Sequence, residues 1–177
     1  SYVTMSHYAA IGVVNEVTHA YTYLKWVCDF AKKFDDMYDD YSHWYKYRQS
    51  IRSVVVEEGI TKISDWAFKY CSNLTSVDIP DTVKSIGGWA FIGCSKITSI
   101  NIPDGVTEIG VYTFADCSNL THIIIHDSVT SIGQSAFNGC SSITSIEIPD
   151  SVTTIGYEAF KECTSLESVT IGSGVKS

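Results

Sequence analysis

Five cysteines fall 23 residues apart, at Cys71, Cys94, Cys117, Cys140 and Cys163. Three residues before each stands a phenylalanine: Phe68, Phe91, Phe114, Phe137 and Phe160. Five residues before each of those stands an isoleucine: Ile63, Ile86, Ile109, Ile132 and Ile155. Behind the cysteines an apolar series recurs, from Leu74, Val77 and Ile79 through Leu120, Ile123 and Ile125 to Ile171. A period held over so many positions without insertion means that each unit meets its neighbour in the same way, and the fold it demands is a stack of coils.

Each unit reads I-G-x-x-A-F-x-x-C-x-x-L-x-x-I-x-I-P-D-x-V. The L-x-x-I-x-I stretch is the strand of a leucine-rich repeat, with the residues between the apolar ones facing outward. Strands are predicted near 75–79, 98–102, 121–125, 144–148 and 167–171, parallel and stacked in sequence order in a right-handed superhelix. Pro-Asp turns the chain, since proline presets φ and aspartate bonds back to its own backbone. The Ala-Phe segment is read as a short helical turn on the opposite wall. A lone coil buries too little apolar surface to offset the ordering of its backbone, so stability must come from contact between neighbours.

The array departs from its own pattern. Ser64 stands where Gly87, Gly110, Gly133 and Gly156 stand in later units; if that position needs positive φ, serine costs roughly 1–2 kcal/mol there. His126 replaces the turn proline of Pro80, Pro103 and Pro149, and Thr113 replaces the alanine before phenylalanine. Residues 172–177 open a further unit that stops before its isoleucine, so the array is expected to be cut from a longer one. Before the array no repeat is visible. Val13, Val17, Ala20, Tyr21, Leu24, Val27, Cys28, Ala31 and Phe34 follow the spacing of one helical face. An amphipathic helix over 14–36 is therefore expected, covering the open first coil, with Met37 to Tyr47 as a connecting loop. The rival reading is a separate small domain. The division expected is 1–50 as helical cap and lead-in and 51–177 as repeat array.

The unit resembles the BspA-like class of leucine-rich repeats, found in surface antigens. Residues 148–166 follow its I-P-x-S-V-T-S-I-G-x-x-A-F-x-x-C-x-x-L-T-S consensus closely, and the stretch from Trp44 to Arg48 through Glu57, Glu58 and Gly59 resembles the opening segment of such arrays. The resemblance covers residues 44–177. It implies an extracellular or surface-attached role in adhesion or protein interaction, and it carries no catalytic residues to transfer.

The outward strand positions matter most for binding. One phase reads Val55, Asp78, Asn101, Ile124, Glu147, Thr170; its partner phase reads Ser53, Ser76, Ser99, His122, Ser145, Ser168. The expected ligand-binding set is Asp78, Asn101, His122, Ile124 and Glu147, although a single exposed isoleucine is usually without consequence. Trp66, Trp89 and Tyr112 share another phase; such a row can bind sugars or peptides, or be covered by the N-terminal helix. Glu58, Asp81, Asp104, Asp127 and Asp150 form an acidic ladder, open to calcium but read as solvated turn residues. The cysteine period is wrong for zinc, which uses cysteines two to four apart. Parallel thiols on adjacent rungs also fit disulfide geometry poorly. All five are therefore expected to be reduced and sheltered.

Among 12 Lys and Arg against 20 Asp and Glu there is no basic cluster, which sets nucleic acid aside. No apolar run reaches the roughly 20 residues of a membrane span. The chain opens at Ser1 without a basic-then-apolar leader, so any targeting peptide is expected to be removed or to lie elsewhere. No metal or cofactor is expected, and the five histidines sit in no catalytic motif. The function expected is a non-catalytic binding module for a protein or glycan ligand. A passive spacer in a longer repeat protein is the alternative.

Overall fold

In the computed structural model, which describes residues 11–14, 22–23, 45–56 and 58–176, each unit completes one coil and lays its next copy alongside. The order begins with β1 (Ile11–Val14), β2 (Thr22–Tyr23) and a 3-10 helix (Tyr45–Ser50). Every coil then supplies a strand to each of two walls. The first wall holds β3 (Ser53–Val56), β5 (Ser76–Asp78), β7 (Ser99–Asn101), β9 (His122–Ile124), β11 (Ser145–Ile148) and β13 (Ser168–Ile171). On the second stand β4 (Lys62–Ile63), β6 (Ser85–Ile86), β8 (Glu108–Ile109), β10 (Ser131–Ile132) and β12 (Thr154–Ile155).

Pairing along both walls is parallel and offset by one repeat: Ser53 opposes Ser76, Asn101 opposes Ile124, Ser145 opposes Ser168 and Ile86 opposes Ile109. The five strands predicted from the pattern are the five from β5 to β13, in sequence order. β3, a sixth, precedes them. The second wall is a five-stranded sheet that the pattern does not announce, because two-residue strands are too short for alternation to show.

Where the expected 14–36 helix meets described residues, at Val14, Thr22 and Tyr23, the chain is extended instead; the rest of that segment lies outside the described residues. β1 pairs antiparallel with β3, Gly12 opposing Val55, and β2 pairs antiparallel with β1. The open edge of β3 presents unpaired N–H and C=O groups, and a strand satisfies them where a helix would leave them bare. The lead-in also contains the 3-10 helix in place of a plain loop. Gln49 ties it to the first coil: its Nε2 donates to the Tyr70 carbonyl at 3.1 Å, and its own carbonyl accepts from Asn73 Nδ2 at 2.7 Å.

The Ala-Phe segments are a run of tight turns, not helical turns. Alternate residues close i to i−3 bonds, as in Lys69 N–H to Trp66 O (3.0 Å) and Cys71 N–H to Phe68 O (3.1 Å), while the N–H groups between them reach the next coil. Trp66 donates to Gly88 O, Phe68 to Ala90 O and Tyr70 to Ile92 O, at 2.7–3.0 Å. Redirecting those N–H groups requires left-handed backbone at two positions per coil. Trp66, Trp89, Tyr112, Ser135 and Glu158 take one, with φ of 51–58°, and Tyr70, Gly93, Asp116, Gly139 and Glu162 take the other. Left-handed backbone costs a side-chain-bearing residue roughly 1–2 kcal/mol; in the first four coils the bonds to the next coil offset that cost, and Glu158 and Glu162 keep the same backbone without such a bond.

The glycine that Ser64 replaces is needed for a different reason than positive φ. None of Gly87, Gly110, Gly133 and Gly156 is left-handed. A Cβ on Gly133 would lie 2.7 Å from the Gly110 carbonyl carbon, and one on Gly156 would lie 2.3 Å from the Gln134 nitrogen. The position is where one coil's backbone presses on the preceding coil. Ser64 holds this phase in the first of these five coils, and residue 41, one repeat earlier, lies outside the described residues.

Inside the coils, Phe68, Phe91, Phe114, Phe137 and Phe160 stack in a continuous file with centroids 5.2–5.6 Å apart. The isoleucines, valines and cysteines pack around it, and Phe160 at the far end is only half-buried.

Candidate functional site

Along the first wall the inward residues Ile100, Ile123 and Ile146 are buried, and the residues between them point out. Asp78, Asn101, His122, Ile124 and Glu147 are all exposed, as the alternation requires. Ile124 is 48% exposed and stands beside Asn101 across the ladder. A concavity of about 470 Å³ opens on the C-terminal half of this wall, lined by His122, Ile124, His126, Asp127, Glu147 and Thr170 among others. It gathers His122, Ile124 and Glu147 from the expected set. Asn101 flanks it, and Asp78 lies two coils away, opposed to Val55.

His126 was missed as a site residue, although its place in the turn-proline column was the available signal. Exchanging proline for histidine puts a ring nitrogen where the pattern has none, and His126 Nδ1 lies 3.2 Å from Asp104 Oδ1 of the preceding coil. The Asp104 side chain is 82% exposed, so the contact orients the ring and adds little stability.

Trp66, Trp89 and Tyr112 do form a row. Their rings stack on one another at 5.6 and 5.7 Å between centroids, with interplanar angles of 24° and 9°. Rings stacked this way spend their faces on each other and offer mainly edges to the outside. A sugar needs an open aromatic face, so the row is better built as a spine than as a sugar platform. It stops at Ser135, which is buried.

The acidic ladder, Glu58, Asp81, Asp104, Asp127 and Asp150, is exposed throughout. The Asp150 carboxylate accepts the Ser173 N–H at 2.6 Å and its hydroxyl at 3.0 Å, and these bonds lower its pKa. Among the described residues no group of three His, Cys, Asp or Glu could hold a metal ion.

The five repeat cysteines are free thiols, and four are buried; Cys163 is only half-buried, so the expectation that all five are sheltered fails at the last coil. They are more than small hydrophobes. Cys94, Cys117, Cys140 and Cys163 each donate from Sγ to the phenylalanine carbonyl of the preceding coil, at 3.1–3.3 Å. Burial pushes Cys71 and Cys117 up to about 12 and raises Cys94 and Cys140 as well, so none of these offers a nucleophile at neutral pH.

Residues 41–167 match the BspA type leucine rich repeat region in six copies. The chain belongs to that family. Among solved structures, this BspA-type chain is similar to a leucine-rich repeat protein from Bacteroides ovatus. Identity is 40% and the TM-score 0.66, over 68% of this chain and 33% of that one. It is also similar to the leucine-rich repeat protein of T. pallidum, at 37% identity and TM-score 0.64, covering 66% and 57% of the two chains. A third likeness is to a leucine rich cell surface protein from Faecalibacterium prausnitzii, at 32% identity and TM-score 0.56, covering 71% and 40%. The chain therefore spans between a third and about three-fifths of the length of these relatives. No curated protein matches it. BspA-type repeats form protein-interaction scaffolds, and the solenoid class is generally non-catalytic. Among the described residues no helix is long and apolar enough to cross a membrane.

Proposed function

We propose that this chain is a non-catalytic binding module of a surface or secreted protein, which mediates adhesion or protein–protein interaction through its strand wall. One observation carries the reading: Ile124, 48% exposed, stands in the concavity with His122 and Glu147, on β9 and β11, which pair in parallel with β7 and β13 respectively. Side chains on a rigid ribbon lose little freedom when a partner docks, so more of the contact energy appears as affinity. An apolar anchor ringed by polar groups is the usual centre of such a contact. The surface location draws support from the family and from the relative described as a cell surface protein. On this reading, residues 1–50 serve as cap and lead-in, and residues 51–177 form the working array.

The test is a screen of the purified chain against extracellular-matrix proteins, cell-surface proteins and glycans. It is repeated with Ile124→Asp and, separately, with Trp66→Ala plus Trp89→Ala. Loss of a hit with the first change alone supports the strand wall; loss with the second alone moves the site to the aromatic row and opens the glycan reading. A second reading, a passive spacer, is favoured by the serines at Ser53, Ser76, Ser99, Ser145 and Ser168, which leave one outward row nearly featureless. A screen without any partner would select it.

A further inference from the structure

The concavity is acidic as well as apolar. Asp127 and Glu147 line it, and none of its lining residues is lysine or arginine. Beside it Asp81, Asp104, Asp127 and Asp150 run along one edge of the wall, one per coil and all exposed. Coils repeat at roughly 4.8 Å, so neighbouring carboxylates stand well within the Debye length of about 8–10 Å. Asp104 is met by His126, and Asp150 by Ser173. Asp127 and Glu147 form no ion pair or side-chain hydrogen bond with the described residues, and both face the hollow that holds Ile124.

We propose that the wall around β9 and β11 takes a cationic segment of a protein partner, with an apolar side chain over Ile124 and a Lys or Arg beside it for Glu147 and Asp127. The inference rests on the strand-wall reading above and adds the partner's chemistry. Carboxylates alone on an open surface would hold a cation weakly, because water screens the pair. An apolar contact at Ile124 displaces that water, and the same pair then gains strength in a lower local dielectric. An anionic segment would have to bring its charge against Glu147 and the aspartate file, and like charges brought together across an interface are costly. The chain's net charge of −8 favours the encounter with a cation as well.

Three labelled nonapeptides test this, each with a central leucine among serines and carrying lysines, glutamates or no charge. Binding to the full chain is measured by fluorescence polarisation at about 20 and about 200 mM salt, on either side of the screening regime. The lysine peptide should bind at least about 10-fold tighter than the glutamate peptide at low salt, and that margin should shrink several-fold at high salt. Glu147→Gln with Asp127→Asn should lower lysine-peptide affinity about 3–10-fold and leave the neutral peptide unchanged. Ile124→Ser should weaken both, and Glu108→Gln on the second wall should change neither. A glutamate peptide that binds as tightly as the lysine peptide overturns the cationic assignment, and if Ile124→Ser still weakens it, the strand-wall reading survives. A lysine preference insensitive to both sets of changes puts binding elsewhere and overturns both readings. No binding by any peptide overturns the present proposal and leaves the strand-wall reading to the partner screen.

Discussion

The two walls of this solenoid share one period and use it in opposite ways. On the turn wall, the tight turns around each phenylalanine and cysteine, every coil repeats the same Phe and Cys and four of the five repeat the same glycine, since each position packs against the neighbouring coil. The phenylalanine file, the thiol-to-carbonyl bonds and the glycine contact all run from coil to coil. On the strand wall the inward residues repeat, and one outward row is serine in all but His122; the other outward row changes from Asp78 to Asn101 to Ile124 to Glu147. Contact with a copy of oneself enforces repetition. Contact with solvent, or with a partner, releases it.

That contrast can be broken most sharply in the phenylalanine file. Phe114→Ala removes a fully buried ring that stacks on both neighbours, and should destabilise the chain by about 3–5 kcal/mol. Phe160→Ala, at a half-buried ring with one stacking partner, should cost clearly less. Denaturant melts of the two variants provide the measurement. Equal losses would mean that the stack does not transmit stability from coil to coil.

The thiols give a second handle. Their pKa values are raised in the fold, so their contribution to stability is complete below the ordinary thiol value of 9. Between pH 9 and about 12 the unfolded chain has lost protons that the folded chain still holds, and stability must fall as pH rises. Each such thiol contributes a slope of about 1.4 kcal/mol per pH unit in that window. Cys117→Ala should lower the slope by about that amount and leave stability at pH 7 changed far less than Phe114→Ala does. An unaltered slope would show that Cys117 is accessible to hydroxide in the folded state.

The close approach of the coils predicts a smaller effect. Gly156→Ala places a Cβ on the Gln134 backbone and should cost about 1–3 kcal/mol through overpacking. Ser64→Gly, at the same phase of the first coil, should change stability by about 1 kcal/mol or less. Urea midpoints decide the matter; similar costs at the two positions would show that this phase is not packed more tightly in the later coils than in the first. The smallest effect belongs to the strand wall, where Ile124→Asp should shift stability by no more than about 0.5 kcal/mol. A large loss at Ile124 would make it a structural residue and remove the main support for a docking role.

The period alone determined that Ile63, Phe68, Cys71 and their copies face inward, that the strands near 76–78 and 99–101 lie parallel in sequence order, and that Asp78, Asn101, Ile124 and Glu147 face out. Those outcomes depend on alternation and on identical contacts repeated down the chain, and both are written in one dimension. The turn wall was misread as helical because its order comes from bonds between coils: Phe68 N–H finds Ala90 O only once the next coil is in place. The same holds for the glycine at Gly133 and Gly156, whose reason is the backbone of the preceding coil, and for the thiol bonds to carbonyls 26 residues back. The N-terminal segment carried an apolar spacing that fits a helical face, yet at Val14, Thr22 and Tyr23 the chain is extended, because the free edge of β3 offers a hydrogen-bonding template that local spacing does not record. Partners that lie 22 or more residues away are invisible to a reading of neighbours, and only the stacked coils bring them within reach.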